Sequence, residues 1–136
     1  MTPTELFSQV FAAFDARDIS ALAVFITDDV ELRLGNAPLI RGRAGFVDAV
    51  NAFHESVAGV HHEILKVYSD DDVAIVEFDV HYTRRDGRTV VLPCCNVFRI
   101  RGGLISEYRS YVDATPVYAP SRIPGPDPRA KEQRTW

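Results

Sequence analysis

One change of pattern constrains this chain more than any other feature. Up to about residue 57, apolar residues recur at helical spacing. Phe7, Val10, Phe11 and Phe14 follow one another at i, i+3, i+4 and i+7, and Phe46, Val50, Phe53 and Val57 at intervals of four, three and four. From residue 60 the period becomes two. Four strand-length segments, about 60–68, 73–83, 89–100 and 104–113, are joined by "SDDD", "RRDG" and "RGG", each a turn signal. Short turns between successive strands predict an antiparallel meander. Helices first and strands after predict an α+β fold, with helices covering one face of a curved sheet.

Local chemistry marks the boundaries. "TPTE" at 2–5 is a capping box: Thr2 as N-cap, Pro3 in the first helical position, Glu5 reaching back. Asp18 can cap a second, shorter helix whose Ile19, Leu22, Phe25 and Ile26 face the core. "VELRL" at 30–34 reads as a strand with Leu32 and Leu34 on one face, and "GNAPLIRG" as a loop. After Asp113 the composition shifts, and five of the eight prolines fall in the last stretch. The expected organisation is one domain over 1–118 and a Pro/Arg-rich, mobile tail over 119–136.

Bulk properties exclude several functions. With 46% hydrophobic and 25% charged residues, the chain has the balance of a folded soluble domain. No apolar run approaches the roughly 18–20 residues of a membrane span, and the N-terminus lacks the basic-then-apolar order of a secretory signal. A cytoplasmic protein is expected. The net charge of -4 and dispersed basic residues argue against nucleic acid. Cys94 and Cys95 are neighbours and read as reduced cysteines in a strand. No zinc ligand set has the usual spacing, "HHE" lacks helical HExxH spacing, and neither metal nor cofactor is expected.

The stretch "VEFDVHY", 76–82, poses the functional question. Val76, Phe78, Val80 and Tyr82 alternate with Glu77, Asp79 and His81, so one face of the strand is apolar and the other carries two carboxylates and an imidazole. The usual arrangement turns the polar row to water, which would leave any pocket nearly all apolar and favour a binding module. A single-residue slip exchanges the faces. His61 and His62 are adjacent, so only one can face a pocket, and His54 reads as a helix-face residue.

Three stretches, "AAFDARDISALAVFITDDVEL", "IRGRAGFVDAVNAF" and "DGRTVVLPCCNVFRIRGGLISEYRSYVDATPVYA", resemble a SnoaL-like protein of the nuclear-transport-factor-2-like superfamily over residues 5 to about 118. The resemblance implies a cone-shaped α+β barrel, a bent antiparallel sheet wrapped around the N-terminal helices with a pocket at its open end. It implies a homodimer through the outer sheet face. Aligned without gaps from "NVFRI", it turns Glu77, Asp79 and His81 into the pocket with Leu92, Cys94, Asn96, Phe98, Tyr108, Ser110 and Val112. Val76, Phe78, Val80 and Tyr82 would then form the dimer face.

The family's known chemistries fit unevenly. In ketosteroid isomerases the base would fall on Leu34, the pocket tyrosine on Val10 and the oxyanion acid on Asn96, so base and tyrosine are missing. In limonene epoxide hydrolases only one aspartate of the set survives, as Asp79, while Ser110 replaces the water-activating one. What the resemblance leaves is a cofactor-independent cyclase, isomerase or dehydratase. Asp79, His81 and Asn96 would be catalytic, and Leu32, Leu34, Phe53, Leu92, Cys94, Phe98, Tyr108 and Ser110 would line the substrate site. The substrate would be a small, mostly hydrophobic carbonyl or hydroxyl compound. A non-catalytic binder of the same fold and an epoxide hydrolase with an altered catalytic set are the competing readings.

Overall fold

Helix α1, Pro3–Asp15, begins as its sequence dictates. Thr2 accepts from the Glu5 amide and the Glu5 carboxylate accepts from the Thr2 amide, at 3.1 and 3.0 Å. Its Phe7, Val10, Phe11 and Phe14 are all buried. The Asp18 carboxylate caps α2, Ile19–Ala23, through the Ala21 amide. The chain then forms β1, Ile26–Leu34; β2, Ile40–Arg41; α3, Arg43–Ser56; and four long strands, β3 (Gly59–Asp70), β4 (Val73–Thr83), β5 (Thr89–Arg101) and β6 (Leu104–Tyr111). A short helix α4, Thr115–Tyr118, follows. This computed structural model describes residues 1–120, so the expected tail over 119–136 lies almost wholly outside the described residues. Among the described residues no helix is long and apolar enough to cross a membrane.

The six strands form one sheet in the order β2-β1-β6-β5-β4-β3. The meander from β3 to β6 is antiparallel throughout, and its turns fall where "SDDD", "RRDG" and "RGG" stand. Gly102 and Gly103 both adopt positive φ, 59° and 79°, in the last of these turns, which suits glycine there. Two expectations need correction. The sheet is mixed, because β1 pairs parallel with β6. A parallel pair needs a long crossover, and here everything between the two strands supplies it. The stretch read as a loop also contains β2, which pairs with β1 through Glu31–Arg41 and Leu32–Ile40.

The sheet bends. Register shifts interrupt β3 between Ile64 and Lys66 and β5 between Arg99 and Ile100, and such bulges increase local twist and bend the strand. α1 packs on the concave side against β3, and α3 closes it against β1. The result is the cone-shaped α+β barrel that the resemblance implied. Its narrow end is filled by aromatic rings. Phe7 stacks on Phe98 at 4.4 Å, and Phe98 meets Tyr108 edge-on at 4.8 Å.

The faces of β4 are settled by pairing and burial. Val76, Phe78, Val80 and Tyr82 are buried, while Glu77 is exposed and Asp79 and His81 are half-buried on the other side. The strand therefore turns its apolar row inward and its charged row outward, the reverse of the gap-free alignment. The cause lies in the hairpin. The connection 84–88 pairs Thr83 with Thr89, which sets Val76 opposite Asn96, Phe78 opposite Cys94 and Val80 opposite Leu92. Residues directly opposite share a face. With Cys94 and Asn96 inside, Asp79 and His81 must be outside.

Candidate functional site

A cavity of about 770 Å³ opens at the wide end of the cone, between α1, α3, the concave sheet and the segment 112–118. That volume lies within the range of small-molecule sites, roughly 300–1,000 Å³. Of the residues expected to build the site, Leu34, Phe53, Cys94, Asn96, Tyr108 and Ser110 line it. Leu32 and Phe98 are instead fully buried in the core, and Leu92 packs against that core outside the lining. Asp79 and His81, expected as the catalytic pair, are on the convex face. There His81 Nε2 donates to Glu63 Oε1 at 2.9 Å, an exposed contact.

The orientation of β4 did not leave the cavity nearly all apolar. Its histidine comes from β3. His62 stands opposite Val80, on the concave side, and lines the cavity. Its Nδ1–H donates to Asp15 Oδ1 at 2.5 Å, and its backbone N–H donates to Asp15 Oδ2 at 2.8 Å. A carboxylate only accepts, so this bond places the proton on Nδ1 and leaves Nε2 as the acceptor of the neutral ring. Nε2 has no hydrogen-bond partner among the described residues. Three phenylalanines hold the imidazole: Phe11 stacked at 4.3 Å, Phe78 at 5.1 Å, and Phe14 edge-on at 5.2 Å. Both partners are largely shielded, with side-chain exposures of 7% and 15%.

Two signals in the sequence point to this pair. Asp15 directly follows the apolar stripe of α1 and occupies its last turn, where the helix dipole disfavours a negative charge. A local rule broken without an evident gain marks a constrained position. His62 also falls in phase with Val60 and Ile64, the inward residues of β3. Its phase could have been read from those neighbours rather than from the gap-free alignment.

The opposite wall carries neutral donors. The Cys94 thiol lies 3.6 Å from Asn96 Oδ1 and 3.4 Å from Ser110 Oγ. Burial, above all, pushes that thiol up to about 11, so it stays protonated and is no nucleophile. Burial likewise raises the Tyr82 and Tyr108 phenols well above their ordinary value, which keeps both as O–H donors. His62 on β3 stands opposite Val80 and Asn96 on β5 stands opposite Val76, so the two flank β4 and are offset by four residues along it. Asp113, at the mouth, is held by the Thr115 amide and hydroxyl, which lower its carboxyl below the usual range. Among the described residues the lining contains no lysine or arginine, and no group of metal-ligating side chains is present.

Known proteins share this frame. The sequence profile of the SnoaL-like domain matches residues 7–108. Among solved structures, a candidate polyketide cyclase from Xanthomonas campestris pv. campestris is 26% identical. It covers 83% of this chain and 91% of its own, with a TM-score of 0.76. A protein with a ketosteroid isomerase-like fold from Catenulispora acidiphila, in complex with trimethylamine, is 21% identical over 91% of this chain and 96% of its own, TM-score 0.80. An LEH-like epoxide hydrolase of M. tuberculosis is 18% identical over 84% of each chain, TM-score 0.71. No curated protein matches in sequence. With the profile running from the first helix to the last strand, over the cone and the walls of its cavity, the chain belongs to the SnoaL-like domain family.

Proposed function

We propose that the chain is a cofactor-independent acid/base enzyme of the cyclase, isomerase or dehydratase type. It acts on a small, neutral carbonyl or hydroxyl compound held in the cavity. The observation that carries this reading is the Asp15–His62 pair, enclosed by aromatic rings, with no hydrogen bond to Nε2 among the described residues. Histidine suits a proton taken and returned near neutral pH. In this mechanism His62 Nε2 removes a proton alpha to a carbonyl, and Asp15 fixes the tautomer and balances the imidazolium. The Asn96 amide and the Tyr108 phenol donate to the oxygen on which charge develops. The proton then returns from Nε2 to carbon, or to a departing hydroxyl in a dehydration. The described lining is mostly apolar with a few neutral hydrogen-bonding groups, which favours a neutral, mostly hydrophobic ligand.

The epoxide-hydrolase reading loses its support, because Asp79 and Ser110 lie on opposite faces of the sheet and cannot hold one water between them. The outer face exposes Leu65, Tyr68, Val91 and Tyr111, which favours a homodimer through that face.

The experiment is proton exchange. A panel of neutral cyclic and aryl ketones is incubated with the protein in D2O, and loss of the alpha-proton signals is followed by NMR. The proposal expects accelerated exchange for at least one probe, lost in His62→Ala and strongly reduced in Asp15→Asn. Probes that bind without exchange in the wild type would overturn it in favour of a binding module.

A further inference from the structure

Asp15 serves more than one histidine. His61 and His62 point to opposite faces of β3, yet both reach this carboxylate, because β3 is the edge strand and α1 ends over it. Asp15 Oδ1 holds the His62 ring at 2.5 Å, and Oδ2 lies 3.6 Å from His61 Nδ1. The His61 side chain is 70% exposed, so its proton equilibrates with bulk water while His62 faces the cavity. We infer that His61 is a positioning residue for the dyad: by sharing the Asp15 carboxylate from outside, it sets how strongly that carboxylate supports His62 as a base. This rests on the reading of His62 as the base.

The direction follows from charge. A protonated His61 draws on the same carboxylate and repels a second positive charge on His62. Both effects make His62 a weaker base. Loss of the His61 proton returns the carboxylate to His62 alone and strengthens it. On β4 the His81 ring lies 5.8 Å from His61, and its Nε2 is bonded to Glu63 of β3. Arg17, just beyond α1, donates to the Val57 and Ala58 carbonyls. His54 on α3 and Tyr108 on β6 feel the Asp15 charge at longer range. Among these, His61 is the titrating group within salt-bridge distance of Asp15 on the solvent side.

The test needs no substrate. Protein labelled with 15N is titrated by NMR, and the His62 ring signals are followed in His61→Gln, which carries no charge, and His61→Arg, which carries one at every pH. His62 should take up its proton about threefold more readily in the glutamine variant than in the arginine variant, an effect scaled down from a fully buried charge pair. The wild type should resemble the arginine variant at low pH and the glutamine variant at high pH. Adding Asp15→Asn should shrink the difference, because the shared group is gone. Identical His62 titrations in the two His61 variants, with the His62–Asp15 hydrogen-bond signal intact, would overturn the inference. That outcome would leave the ketone-exchange result untouched, and a failed exchange assay would leave this coupling standing.

Discussion

Two histidines on neighbouring strands, one on each face of the sheet, each hydrogen-bond a carboxylate. On the concave face His62 bonds Asp15 at 2.5 Å, with side-chain exposures of 7% and 15%. On the convex face His81 bonds Glu63 at 2.9 Å, with exposures of 42% and 54%. Both join an imidazole to a carboxylate, Asp15 from α1 in one case and Glu63 from β3 in the other. What differs is enclosure. The inner pair is walled by phenylalanines and opens onto a ligand-sized cavity, so its fields are weakly screened. The outer pair faces solvent, where such contacts contribute little. Pairing supplies chemistry only where the surroundings exclude water.

That contrast breaks most sharply at the inner histidine. His62→Ala should lower ketone exchange by about 10²- to 10⁴-fold, the usual contribution of a positioned general base. His81→Ala should leave it within about twofold in the same NMR assay.

Packing should show the same asymmetry. Phe98→Ala removes a ring that touches Phe7, Phe11 and Tyr108 and should destabilise the fold by about 3–5 kcal/mol in urea unfolding. Val91→Ala, on the exposed face, should stay within about 0.5 kcal/mol.

A third histidine sharpens the role of burial. His54 is buried against Phe14 and Phe53, and neither ring nitrogen has a hydrogen-bond partner among the described residues. Burial first, and the Arg17 charge second, lower its proton affinity below the ordinary value. The unfolded chain therefore binds this proton more readily than the folded one. The stability owed to neutral His54 is complete above about pH 6.5 and is lost as pH falls from there toward the lowered folded value. Equilibrium unfolding between pH 7 and 5 should show a decline that His54→Phe reduces. The smallest effect belongs to the outer pair: Glu63→Gln should cost under about 1 kcal/mol and be masked by salt.

Much of the fold was legible in the sequence because its signals are local. The Thr2 capping box, the Asp18 cap and three turn sequences fixed where elements start and stop. The parallel β1–β6 pair was not, since it depends on contacts distant in sequence, and the two-residue β2 is too short to show a period. Part of the cavity lining was legible as well: Asn96, Tyr108, Ser110, Cys94, Leu34 and Phe53 line it. Asp79 and His81 fall on the convex face, contrary to the gap-free alignment, because a period of two gives faces without saying which is inside. The 84–88 connection decides that, and it reverses the faces assigned to β4 relative to β5. Asp15 and His62 are 47 positions apart, so no sequence motif joins them.

The measurement that bears most directly on this account is which histidine senses a ligand. Addition of a neutral aryl ketone to 15N-labelled protein should shift the His62 ring signals and leave those of His81 in place. Movement of His81 with His62 unchanged would contradict it, and would put the functional surface on the convex face.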